Sequence, residues 1–172
     1  ERLAALGFAD PTTAAETLRR LAEPGSQARM RPSTWRRFER VAPRLATLAA
    51  RSADPDVALL RIGAFVERVG ARGTTYELLY ENPAVAETLV RLFAESTYLS
   101  DRFLQHPELL DALVLRGQGG EVGPREEAAV AAELHEELDA RPAEDDRLLT
   151  LRTRQTVELL RIGLADLGDA LP

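Results

Sequence analysis

The chain contains no cysteine, so no disulfide staples it and no thiolate holds a metal. That fits a reducing cytoplasm, the expected location. No apolar run approaches the roughly 20 residues that a membrane-crossing helix needs, and the first residues lack a signal-peptide pattern. No membrane partner is therefore expected. Lysine is missing too: all 22 basic residues are arginine, which we read as a coding bias that speaks of origin rather than chemistry. No stretch alternates apolar and polar residues at strand spacing for a useful length, so no sheet is expected.

What is present is a chain of 172 residues, the size of one domain or of a piece of a larger one. A compact chain of this size buries roughly 70% of its unfolded surface, enough for a real core. A start at Glu1 rather than methionine is what a processed or excised segment would show. The formal net charge of −6 hides an asymmetry. Across residues 19–51 nine arginines stand against Glu23 and Glu39, a net of +7. Across residues 121–146 ten acids stand against Arg125 and Arg141, a net of −8. Blocks of opposite sign can pair within a fold or across an interface.

The apolar periodicity is helical throughout. Asp10-Pro11 gives a side-chain cap followed by a proline at the first helical position, where a missing N–H costs nothing. Ala14, Ala15, Leu18, Leu21 and Ala22 then form a stripe that Glu23-Pro24-Gly25-Ser26 ends. Ser33 is the next candidate cap, ahead of Trp35, Phe38, Val41, Ala42, Leu45 and Leu48. Pro43 lies inside that stripe, whose unbroken phase predicts a kinked rather than a divided helix. Asp54-Pro55 repeats the cap signal for a helix to about Val69 that buries Leu59, Leu60, Phe65 and Val66 in part, with Gly70 and Gly73 as its stop. Thr74 and Glu77 have capping-box spacing for a helix with Tyr76, Leu79 and Tyr80. Asn82-Pro83, Ser96 and His106-Pro107 open three more, carrying Val85, Leu89, Leu92 and Phe93, then Leu99, Phe103 and Leu104, then Leu109, Leu110 and Leu113. After a glycine-rich stretch, one helix runs from Pro124 to about Asp139 and the longest from about Glu144 to Leu167. Val157, Leu160, Leu164 and Leu167 mark its buried face, and Glu144, Asp145 and Asp146 suit the positive end of its dipole.

The expected fold is thus all-α, an array of about eight to nine short to medium amphipathic helices with no sheet. Residues 1–115 form the helical array, 116–123 a glycine-rich connector, and 124–172 two longer helices packing on the array. Leu110, Leu92 and Leu160 are core positions, and Leu110→Ala should cost about 2–5 kcal/mol. Leu59 to Gly63 and Leu159 to Gly163 both read LLRIG, but the flanks are unlike and do not make a repeat.

Few residues invite a chemical reading. Asp54 and Asp56 form an Asp-x-Asp pair of the kind that holds magnesium for nucleotidyl transfer, yet with Pro55 at the first helical position a cap and a dipole partner explain them better. Gly117, Gly119, Gly120 and Gly123 resemble a phosphate cradle in composition only. They follow a predicted helix rather than a strand, and no Lys-Ser/Thr pair comes after them. His135-Glu136-Glu137-Leu138-Asp139 is close to a zinc-protease helix, but Asp139 stands where the second histidine belongs, and His106 precedes a proline. Trp35-Arg36-Arg37-Phe38-Glu39-Arg40 puts Trp35 and Phe38 toward the core and Arg36, Arg37 and Arg40 toward solvent. Phosphates are one possible partner for those arginines and the acidic block another; nucleic acid is the less expected. No catalytic, cofactor-binding or metal-binding residue is assigned.

Several segments together carry a resemblance: Gly7-Phe8-Ala9-Asp10-Pro11; Asp54-Pro55-Asp56 with Leu59-Leu60-Arg61; Glu81-Asn82-Pro83; Leu92-Phe93-Ala94-Glu95-Ser96; His106-Pro107-Glu108-Leu109-Leu110-Asp111; and residues 158–167. With them the chain resembles the glutamine synthetase adenylyltransferase/adenylyl-removing family, in the helical lead-in to its second, adenylylating half. The resemblance implies a parent with two nucleotidyltransferase-like halves. One transfers AMP from ATP to a tyrosine of glutamine synthetase, and the other removes it by phosphorolysis. Both use magnesium and answer to glutamine and a PII signal protein. The family's catalytic halves carry Gly-Ser followed by Asp-x-Asp on a sheet, and this chain has no such stretch, so it should be a noncatalytic segment, inert alone. Its implied partners are the parent's catalytic domains and, through them, glutamine synthetase and PII. The rival reading is an independent helical interaction module with oppositely charged surfaces.

Overall fold

A computed structural model describes residues 2–23, 31–107, 110, 114 and 126–169, and all regular structure among them is helical. In chain order the helices are α1 (Arg2–Leu6), α2 (Pro11–Ala22), α3 (Pro32–Ala50), α4 (Pro55–Val69), α5 (Arg72–Glu81), α6 (Pro83–Glu95), α7 (Thr97–Gln105), α8 (Glu127–Asp139) and α9 (Glu144–Asp169). The chain divides into two compact units, Glu1–Gly119 and Gly120–Pro172.

In the first unit the caps are largely where the residues ask for them. Asp10 accepts from Thr12 N and Thr13 N at 3.1 and 3.0 Å, and Asp54 from Val57 N at 3.1 Å. Ser96 accepts from Leu99 N at 3.2 Å. Each of these bonds satisfies an N–H that a helix start leaves open. Two expected starts move. α3 begins at Pro32, so Ser33 lies inside the helix and caps nothing; Arg31 holds the cap position without a side-chain bond. α5 begins at Arg72, so Gly73 is a helical residue and Thr74 no cap. Gly70 alone ends α4, at φ 73°, a left-handed conformation that favours a residue without Cβ. α3 runs through Pro43 undivided.

α4 is the hub. It packs against α2, α3, α5, α6 and α7 and buries Ala58, Leu59, Ile62, Gly63, Phe65 and Val66. Removing a leucine- or phenylalanine-sized side chain from water contributes about 1.5–3 kcal/mol each. Phe65, Phe93 and Phe103 meet as a triangle with ring centroids 5.5–6.1 Å apart, joining α4, α6 and α7. Gly63 lets α2 cross closely: a Cβ there would lie 2.9 Å from Thr17 Cγ2. Thr17 is buried in that crossing, whereas Ala15, expected in the stripe, is exposed. Leu60 also departs from expectation at 45% exposed, because successive helical residues point about 100° apart and Leu59 takes the inward direction.

Arginines staple the helix ends. Arg61 Nη1 donates to Phe93 O at 2.6 Å and to Ser100 Oγ at 3.3 Å, and Nη2 to Thr97 Oγ1 at 3.0 Å. Arg72 Nη1 donates to Arg20 O and Leu21 O at 2.7 and 3.1 Å, and the buried Tyr76 hydroxyl to Leu21 O at 2.7 Å. These are the carbonyls that the last turns of α6 and α2 leave without a donor. Leu92 and Leu110 are buried. The rest of the His106-Pro107 helix beyond Pro107 and the glycine-rich stretch fall outside the described residues, apart from position 114.

The second unit is a pair of helices. α9 is the longest described helix, begins with Glu144, Asp145 and Asp146, and buries Leu160. The side chains of Leu164 and Leu167 fall outside the described set. The LLRIG twins differ in burial: Leu59 is buried and Leu60 exposed, but Leu159 is exposed and Leu160 buried. The five-letter match is therefore turned by one residue on its helix and is no structural repeat.

Candidate functional site

The carboxylate pair is committed to backbone. Asp54 caps α4, while Asp56 accepts from Ala9 N at 2.8 Å and Asp10 N at 3.1 Å, one N–H on each oxygen. Gly7, at φ 107°, ends α1; Phe8 is buried behind it; Asp10 caps α2 and Pro11 opens it. The two segments, residues 7–11 and 54–56, are thus halves of one joint that fixes where α2 departs from α4. Thr13 also bonds Asp10 through its backbone and side chain, and these bonds hold the Asp10 carboxyl below its ordinary value. Among the described residues no group of three or more His, Cys, Asp or Glu could hold a metal.

The arginine row of α3 faces α5. Arg37 pairs with Glu77 at 2.7 Å, Arg40 lies over the Tyr80 ring at 3.8 Å, and Arg44 donates to Tyr80 O at 3.1 Å. Contact with Arg40, through hydrogen bonding first and charge second, holds the Tyr80 phenol below its ordinary value. Arg36 remains solvent-facing. Trp35, expected inside, is 38% exposed and leans on Phe38 with centroids 5.9 Å apart. Its earlier position on α3 sets it beyond the end of the buried face that Phe38, Val41 and Leu45 share. His135 Nδ1 lies 2.7 Å from Ala131 O, four residues back on its own helix.

The arrangement that sequence reasoning missed is on the α8–α9 pair. Arg154 forks onto α8: Nε to Glu137 Oε2 at 3.2 Å, Nη2 to Glu137 Oε1 at 2.5 Å, and Nη2 to Glu133 Oε2 at 3.1 Å. Glu133 and Glu137 are four apart and so share a helical face. Bonding to Glu137 raises the guanidinium above its ordinary value. Arg147 and Asp139 stand 3.9 Å apart at the turn. Several charges of the acidic block are thus answered within their own unit. Between the two helices lies an open cavity of about 370 Å³, lined by Val130 and Leu134 of α8 and by Leu148, Leu151, Arg152 and Gln155 of α9, among others. Leu148, Leu151, Leu159 and Ile162 are all exposed. With Gln155 they follow at steps of three, four, four and three residues, one continuous stripe. That spacing was the available signal; attention to the Val157–Leu160 face hid the fact that α9 is apolar on two faces.

What these features describe is a class: a helical segment, stapled internally by arginines, that presents an exposed apolar stripe. The model of the glutamate-ammonia ligase adenylyltransferase family matches residues 86–172, and the chain belongs to that family. Its relatives include bifunctional glutamine synthetase adenylyltransferase/adenylyl-removing enzymes. That of Thioalkalivibrio sulfidiphilus is 33% identical across 99% of this chain and 18% of its own length. That of Pseudomonas aeruginosa is 33% identical across 99% of this chain and 17% of its own. That of Mannheimia succiniciproducens is 38% identical across 62% of this chain and 11% of its own. The chain therefore spans less than a fifth of the length of these relatives. No solved structure matches it. None of the described helices is long and apolar enough to cross a membrane.

Proposed function

We propose that the chain is a noncatalytic helical segment of a glutamine synthetase adenylyltransferase, one that docks the adenylylating half and sets its orientation. The parent transfers AMP from ATP to a tyrosine of glutamine synthetase and removes it by phosphorolysis, with magnesium, in the cytoplasm, under glutamine and PII control. The observation that supports the reading is the fate of Asp54 and Asp56. An Asp-x-Asp that served magnesium would point oxygens at a shared void, whereas these oxygens are spent on the N–H groups of Val57, Ala9 and Asp10. A joint held in this way makes the array rigid, and rigid bodies pass on small shifts as a unit. Family membership favours this reading over an independent module, and part of the basic row on α3 meets Glu77 and Tyr80 beside it. The test is direct. The purified chain with ATP, magnesium and glutamine synthetase should transfer no AMP; measurable transfer overturns the reading.

A further inference from the structure

The groove on the second unit has a chemistry that selects an occupant. Its floor is apolar, from Val130, Leu134, Leu148 and Leu151, and Leu159 and Ile162 extend it along α9. From Leu148 to Ile162 the stripe is about 21 Å long at the helical rise, the reach of one helix of about four turns. Arg154, already paired with Glu133 and Glu137, and Glu158 also line the groove, and helical spacing sets two exposed charges at its edges. Arg152 lies one turn beyond Leu148 and lines the cavity; Glu127 lies one turn before Val130 on the same row of α8 as Leu134. Neither forms an ion pair among the described residues. A cation on one side and an anion on the other favour a helix that carries the opposite pair.

We propose that this groove seats an amphipathic helix from the part of the parent enzyme outside this segment. Its apolar row lies on Leu148, Leu151, Leu159 and Ile162, with a carboxylate toward Arg152 and a basic residue toward Glu127. The proposal rests on the reading above and deepens it by naming the docking face. Length argues for this source. The chain covers 17–18% of relatives that it matches end to end, so most of the parent polypeptide is available to cover the stripe. A tethered segment acts at about millimolar effective concentration, well above what a second copy of a micromolar protein reaches. Charge argues the same way. α8 carries five acids and no basic residue, and a second α8 would bring like charge to like. Helix in groove is a recurring mode for such stripes, and uncovered apolar stripes of this extent mark interaction sites.

The absence of cysteine supplies the test. A Leu159→Cys variant places one thiol on the stripe, and a Leu149→Cys variant places one on a residue 64% exposed, well off the stripe. Maleimide labelling rates are compared between the 172-residue chain and the full-length parent with its other cysteines replaced. At Leu159→Cys the rate should fall more than tenfold in the parent, and adding Leu151→Glu should restore it; at Leu149→Cys it should change less than threefold. Equal rates at Leu159→Cys in the two proteins overturn the proposal, as does equal slowing at both sites. Slowing that grows with concentration of the isolated chain overturns it in favour of a second copy. AMP transfer by the isolated chain would instead overturn the noncatalytic reading while leaving the labelling result to stand on its own.

Discussion

Replacing Asp56 with alanine separates two accounts of the Asp54/Asp56 pair by the sign of the effect. In the structure Asp56 accepts from Ala9 N and Asp10 N at 2.8 and 3.1 Å, and both bonds are charge-assisted. They lie near the surface, where water can partly replace a lost acceptor, so Asp56→Ala should cost about 1–2 kcal/mol rather than the full cost of two orphaned donors. For a unit of this size that lowers Tm by about 4–8 °C. Asp54→Ala removes the cap bond to Val57 N and should cost about 1 kcal/mol. If the two carboxylates instead formed an empty metal site, their mutual repulsion would be relieved by either substitution, and Tm would rise. Thermal unfolding followed by circular dichroism, with and without magnesium, reads the difference. A higher Tm for Asp56→Ala, or a magnesium-dependent rise in the unsubstituted 172-residue chain that the variant loses, would refute the argument.

Gly63→Ala sets a helix-propensity gain of about 1 kcal/mol against the clash of the new Cβ with Thr17 Cγ2, 2.9 Å away, at an overpacking cost of about 1–3 kcal/mol. Net destabilisation is expected, and in a Thr17→Ser background, which lacks that methyl, Gly63→Ala should stabilise; denaturant unfolding checks both signs. Alkaline absorbance titration should resolve Tyr80 ionising below its ordinary value of 10.0 because of Arg40, and Tyr76 above it because of burial. Since the folded Tyr76 value is raised, its contribution to stability is present below 10.0 and is lost as pH rises through the folded value. Tyr80→Phe should delete the early phase, and Tyr76→Phe should flatten the alkaline loss of Tm; a single phase for all tyrosines contradicts the placement.

Much of the local structure was legible because capping is a local transaction. Asp10-Pro11, Asp54-Pro55 and Ser96 announce helix starts through bonds made within three residues. The three-four spacing of Val85, Leu89, Leu92 and Phe93 announces a buried face whatever covers it. Ser33 and Thr74 failed because Pro32 and Arg72 could start the helix earlier, and a cap residue has no priority over a helix that begins upstream of it. By itself, then, the sequence determined an all-helical chain, most of its helix boundaries, its family and core positions such as Leu59, Leu92 and Leu160. Only the tertiary structure decided that Asp56 joins residues 7–11 to α4, that Arg40 meets Tyr80, and that the second apolar row of α9 is exposed among the described residues. The physical reason is range. Hydrogen bonds and periodicity along one helix are written in neighbouring residues, whereas the partner across a joint, or the lack of one across a groove, depends on where distant segments arrive.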